Sequence, residues 1–189
     1  MRWVIEIGKV DIEHEVSVLS SCQADPCDGH LQQILHIFAF LKNNPKLTLY
    51  CDTSPTVIDL TSFTGSTSEE IRDQYRGARE ELSTDAPKAR GRAVEVTSFF
   101  DASHASDKKT RRSHTGYIIL VNRDPITCYS KRQADVESRK FWSEFIALKA
   151  CVEHIIALRF KLRMFGIPIG GESKILNYNK SVVDISSKL

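Results

Sequence analysis

A chain of 189 residues, 41% of them hydrophobic, can bury a real core in one domain or two small ones. Its formal net charge of +2 neither demands nor forbids a nucleic-acid partner, so only local clustering of cations can decide. Five scattered cysteines (Cys22, Cys27, Cys51, Cys128, Cys151) argue against a disulfide framework and for a reduced, intracellular setting, and no run is apolar enough to span a bilayer.

In chain order, Met1–Gly8 meets charge too early for a secretory signal. Trp3–Leu19 has the pattern of an amphipathic helix, with Ile5, Ile12, Val16 and Leu19 near one side and Gly8 weakening its early part. Asp25-Pro26-Cys27-Asp28-Gly29 is a turn. Asp28 is placed to cap a helix whose apolar stripe is Leu31, Ile34, Leu35, Phe38 and Leu41, and Asn43-Asn44-Pro45 stops it. Leu47–Cys51 reads as a short strand. Cys22, Cys27, His30 and His36 have the residue types of a zinc site without its spacing. Thr, Ser, Pro and Gly then dominate Thr53–Ser68, and charge dominates Glu69–Arg92. Ile71, Tyr75 and Leu82 give only a thin apolar side to a polar helix over Glu69–Leu82. These features divide the chain into a small helical segment (1–52), a partly ordered linker (53–92) and an α/β unit (93–189).

In the last of these, Val96–Asp101 is an apolar run that ends on an acid, with Phe99 and Asp101 on one strand face and Phe100 on the other. A loop carrying Lys108, Lys109, Arg111 and Arg112 follows. A carboxylate ending a buried strand beside a basic loop suits a metal that must meet a phosphodiester. Thr115–Val121 reads as a buried strand, Asn122-Arg123-Asp124-Pro125 as a turn, and Ile126–Ser130 as the strand that closes a hairpin, with Lys131, Arg132 and Gln133 at its end. A long helix over Phe141–Phe165 carries Glu144 in its first turn and packs Phe145, Leu148, Val152, Ile155, Ile156, Leu158 and Leu162; Gly166 stops it and Pro168 follows. Lys174–Tyr178 is a fourth strand, and a further helix begins over Ser181–Ile185. The three strands of Val96–Ser130 should be antiparallel, covered on one face by the long helix, with Ile175–Tyr178 pairing beside the Phe100 strand.

This order of strands and helices, with an acid ending the first strand and Glu144 opening the helix, resembles the ribonuclease H fold. Phe100–Asp107, Thr110–Tyr117, Ser130–Gln133 and Ser143–Leu148 resemble, in that order, the ribonuclease H segment of copia-type retrotransposon polyproteins. Glu6–Ile12, Val18–Ser21, Gly29–Leu31 and Phe38–Leu41 resemble the connection segment between reverse transcriptase and ribonuclease H in those polyproteins. Most of the chain outside 53–92 is covered.

The resemblance implies a ribonuclease H-like mixed sheet with packed helices over 93–189, stopping short of the family's last strand and helix. In that family, clustered carboxylates hold two divalent ions astride the scissile phosphate of the RNA strand in an RNA–DNA hybrid. Asp101 matches the first acid and Glu144 the second, as catalytic and metal-binding residues. Tyr178 stands where the third is expected, and the fourth lies beyond Leu189. A phenol titrates near pH 10 and brings no charge at neutrality. Asn177 falls on the other face of its strand, and Asp184 lies more than a helical turn on, so neither replaces the missing acid. The expectation is a catalytically inactive, retrotransposon-derived ribonuclease H-like chain holding at most one weak Mg2+ or Mn2+. One rival is an active ribonuclease H completed by a partner segment. Another is a non-catalytic nucleic-acid-binding module using Lys108, Lys109, Arg111, Arg112, Lys131 and Arg132. An unpaired edge on the fourth strand would promote self-association.

Overall fold

The structure, a computed structural model, describes residues 1–6, 8–46, 52–55, 57, 81–177, 179 and 182. At the N-terminus the amphipathic stretch is divided into α1 (Arg2–Glu6), a 3-10 turn (Val10–Ile12) and α2 (Glu13–Ser20), with Gly8 at φ +123° between the first two. Ile5, Ile12 and Val16 nevertheless share one side, as their spacing predicts, and meet Ile37 of α3 (Asp28–Asn43) in a small core flanked by Leu19 and Leu41.

Two expectations for α3 are corrected. Its cap is Cys27, whose extended backbone leaves Sγ to accept the His30 N–H while His30 Nδ1 accepts the Cys27 N–H at 3.1 Å. The expected apolar stripe is not the buried one: Leu31, Leu35 and Phe38 are 57%, 58% and 53% exposed, and Ile37 makes the packing contact. The helix packs mainly along α2, which covers only a narrow line of its surface.

The Leu47–Cys51 strand and nearly all of the Glu69–Leu82 helix lie outside the described residues. Both ends of the expected linker are held. The Asp52 N–H donates to Asp124 Oδ1 at 2.6 Å, Arg123 pairs with Asp52 at 3.0 Å, and Asn122 Nδ2 donates to the Thr53 carbonyl at 3.2 Å. At the other end the Arg90 N–H donates to the Gly166 carbonyl at 2.7 Å, and Val94 bridges in parallel to Ile169.

The described strands β1 (Val96–Ser103), β2 (His114–Val121), β3 (Asp124–Arg132) and β4 (Lys174–Leu176) form a mixed sheet in the order β3-β2-β1-β4. β1–β2 and β2–β3 are antiparallel and β4 pairs beside β1, as expected, the β1–β4 pair being parallel. The β2–β3 connection is tighter than the four-residue turn read from Asn122–Pro125. Asn122 adopts φ +56°, which Asn tolerates, and Asp124 and Pro125 already pair with Val121 and Leu120, the register adjusting between Ile119 and Leu120.

One long helix, α4 (Lys140–Met164), covers a sheet face. Its small residues Ala147 and Cys151 let it approach closely, and with Ile155 and Leu162 they pack on Val96, Phe100 and Ala102 of β1 and Tyr117 and Ile119 of β2. Tyr117 stacks on Tyr129, and its hydroxyl meets His154 Nδ1 at 2.8 Å, so the buried phenol keeps a polar partner. Ile156, expected among the packed positions, instead lies outward with Phe160 and Met164, one turn apart each. Glu144 falls in the second turn, since the helix starts at Lys140. The helix stops as its glycine predicts. Gly166 at φ +71° donates to the Arg163 carbonyl and Ile167 to the Leu162 carbonyl, a Schellman closure. Of the helix expected after β4, Val182 is described: it is helical and buried in the same core.

α2 docks on β3 and β2. Ser17 Oγ donates to the Ser130 carbonyl at 2.7 Å and lies 3.2 Å from His114 Nε2, and the His14 ring stands edge-on to His114 at 5.3 Å.

Candidate functional site

Asp101 and Glu144 come together at one end of the sheet. β1 carries Asp101 opposite Gly116 of β2, with its side chain exposed, whereas α4 carries Glu144 into the interior at 1% exposure. Both line an open cleft of about 970 Å³ with Phe99, Lys140, Phe141, Asn177 and Asn179 among its other walls.

A buried carboxylate must find donors, and Glu144 finds them within the chain. Asn177 Nδ2 donates to Oε2 at 2.9 Å, and Asn179 Nδ2 donates to Oε1 at 2.9 Å. The Lys140 ammonium, one helical turn earlier, is 3.5 Å from Oε1. Leu176 pairs with Phe99, and Asn177, just past the end of β4 and expected on the strand face away from the site, instead lines the cleft and meets Glu144. Tyr178, where the third acid is expected, lies outside the described residues, as does Asp184. Sequence reasoning missed Lys140, Asn177 and Asn179 as partners of Glu144. The Lys140–Glu144 pair was open to it as an i, i+4 spacing. The two asparagines reach Glu144 only through the parallel β1–β4 pairing.

These residues do not fit a centre for two divalent ions. Such a centre needs several carboxylate oxygens turned toward a shared point. Here both Glu144 oxygens face N–H donors, an ammonium stands beside one of them, and Asp101 is the remaining acid among the described residues of the cleft. Among the described residues no group of three His, Cys, Asp or Glu side chains is placed to share a metal ion. That includes the cysteines and histidines of the N-terminal segment, where Cys27 Sγ lies 3.4 Å from His30 Nδ1 within the helix cap.

The basic residues gather at the same end, because β1 hands over to β2 there and β3 ends there. Their loop is built on Asp107, which the sequence reading did not single out. Asp107 Oδ2 accepts from the Thr110 hydroxyl at 2.7 Å and from Arg132 at 2.6 Å, and Oδ1 accepts the Lys109 and Thr110 N–H groups at 2.9 and 3.2 Å. The Thr110 hydroxyl and then the Arg132 guanidinium hold its carboxyl well below the usual carboxylate range. The Asp-x-x-Thr spacing was the available signal. Arg132 is thereby committed to the loop, and Lys109 pairs with Asp25 at 3.3 Å on the surface. Lys108, Arg111 and Lys131 are exposed and Arg112 half-buried, with no acidic partner among the described residues. The loop is tied to α4 by His104 Nδ1 and Ser143 Oγ, 3.4 Å apart, and β3 by Gln133, whose Nε2 donates to Thr115 Oγ1 at 2.9 Å and the Ser143 carbonyl at 2.7 Å.

No family model matches the chain, and no solved structure matches it. The Secreted RxLR effector protein 161 of Plasmopara viticola is similar, with 21% identity over 163 residues that cover 86% of this chain and 89% of the effector. Among the described residues no helix is long and apolar enough to cross a membrane.

Proposed function

We propose that this is a ribonuclease H-like protein of copia-type retrotransposon ancestry that does not cleave RNA–DNA hybrids. The observation that carries the reading is the meeting of Asp101 and Glu144 in one cleft at the end of a mixed β3-β2-β1-β4 sheet. The donors on Glu144 and the tyrosine at the third acid position support the loss of cleavage. Mg2+ or Mn2+ would have Asp101 as its open carboxylate and would be weakly held. The test is incubation of the whole chain with a labelled hybrid at neutral pH in Mg2+ or Mn2+. The expected result is no cleavage. Robust cleavage abolished by Glu144→Gln would overturn the reading in favour of an active ribonuclease H, and dependence on an added chain would identify a partner segment.

A second reading, a non-catalytic nucleic-acid module, is favoured by the way Asp107 orders the basic loop while leaving Lys108, Arg111, Arg112 and Lys131 available to phosphates. An intracellular setting fits the free thiols of Cys22, Cys27, Cys128 and Cys151; the similar effector is named as secreted. Self-association would use the outer edge of β4, which no described strand covers.

A further inference from the structure

We infer that Lys140, Asn177 and Asn179 form an internal lock on Glu144 that excludes divalent cations from the cleft. The inference deepens the non-cleaving reading by giving it a cause within the described residues. The orientation of the Asn177 amide is fixed from both ends: Nδ2 donates to Glu144 Oε2 at 2.9 Å, and Oδ1 accepts the Asn179 N–H at 2.5 Å. Flipping the amide would set oxygen against carboxylate and NH2 against N–H, so its carbonyl oxygen cannot turn inward to ligate an ion. Asn179 Nδ2 occupies the other carboxylate oxygen at 2.9 Å, and the Lys140 ammonium stands 3.5 Å from that same oxygen.

An ion approaching Glu144 would displace these donors and meet like charge beside the oxygen it needs. The ammonium supplies the positive charge that a buried carboxylate calls for, and the amides supply directional contacts. The Lys140 side chain is 65% exposed at the start of α4, so it can be removed without opening the core.

The experiment titrates Mn2+ and Mg2+ into the full chain by calorimetry, with thermal melts in the presence of each ion or of a chelator. Three proteins are compared: wild type, Lys140→Ala, and Lys140→Ala with Asn179→Asp. The wild type should show at most weak binding heat and a melting temperature unaffected by ion or chelator. Lys140→Ala should bind Mn2+ at least tenfold more tightly than wild type, and the double variant more tightly still, with the ion raising the melting temperature of both. Wild type binding as tightly as Lys140→Ala would overturn the lock, as would a cooperatively melting Lys140→Ala that gains no affinity. Hybrid cleavage by the wild type is read in a separate assay, so failure of the non-cleaving reading and failure of the lock are distinguishable.

Discussion

Glu144 can be buried because each of its carboxylate oxygens accepts from an amide. Removing one of those amides therefore acts on a charged acceptor. Asn177→Ala should lower unfolding free energy by about 2 kcal/mol in chemical denaturation, the range of a hydrogen bond to an ionised group. At His114 the titration has a defined direction. Burial lowers its pKa below the ordinary histidine value, His14 and Arg132 lower it further, and Asp107 opposes them. Between the folded and unfolded values the unfolded chain binds more protons, so this stabilisation is present above about pH 6.5 and is lost as pH falls through the folded value. The melting temperature should drop as pH falls below about 6.5, and His114→Gln should flatten that drop. Asp107, whose pKa is also lowered, acts in a more acidic window, below the ordinary carboxylate value near pH 4, so the two effects separate on one titration.

At the scale of elements, Gly166 closes α4 in the left-handed region, and a β-carbon there would sit 3.2 Å from the Lys88 carbonyl oxygen. Gly166→Ala should destabilise by about 1–2 kcal/mol through the backbone conformation alone, measured by thermal or denaturant melts. This stop was legible because glycine followed by proline names a backbone geometry directly. The face that α3 buries was not. Periodicity says that Leu31, Leu35 and Phe38 share a side, but not that any element lies against them; the outward turn of Ile156 on α4 has the same cause. At the β2–β3 connection, the turn chemistry of Asp124-Pro125 yielded to Asn122, whose left-handed conformation closes the hairpin sooner. That Asp101 and Glu144 share one cleft was legible from an ordered series of motifs. The asparagine partners of Glu144 were not, because Asn177 and Asn179 follow a strand whose neighbour in the sheet is far away in sequence.

For the whole molecule, the end of the sheet holding the cleft also gathers Lys108, Arg111, Arg112 and Lys131. If Lys108, Arg111, Arg112 and Lys131 each neutralise a phosphate, raising monovalent salt from about 50 to about 200 mM should weaken nucleic-acid binding on the order of 10²-fold. Lys108→Ala should reduce the slope of log affinity against log salt by about one. Fluorescence anisotropy with a labelled hybrid measures both. An affinity indifferent to salt would remove the basic end from the binding surface.

The parallel register of β4 on β1 has a kinetic meaning. The β1–β2 and β2–β3 pairs close short segments, whereas Phe99 meets Leu176 only after the intervening strands and α4 have been traversed. Closing so long a segment is entropically slow, so β4 should join after the barrier-limiting step. Asn177→Ala should then speed unfolding while leaving the refolding rate nearly unchanged, visible as a displaced unfolding limb in a stopped-flow chevron. The chain would release β4 first when stressed, and the Glu144 contacts would set how long it holds.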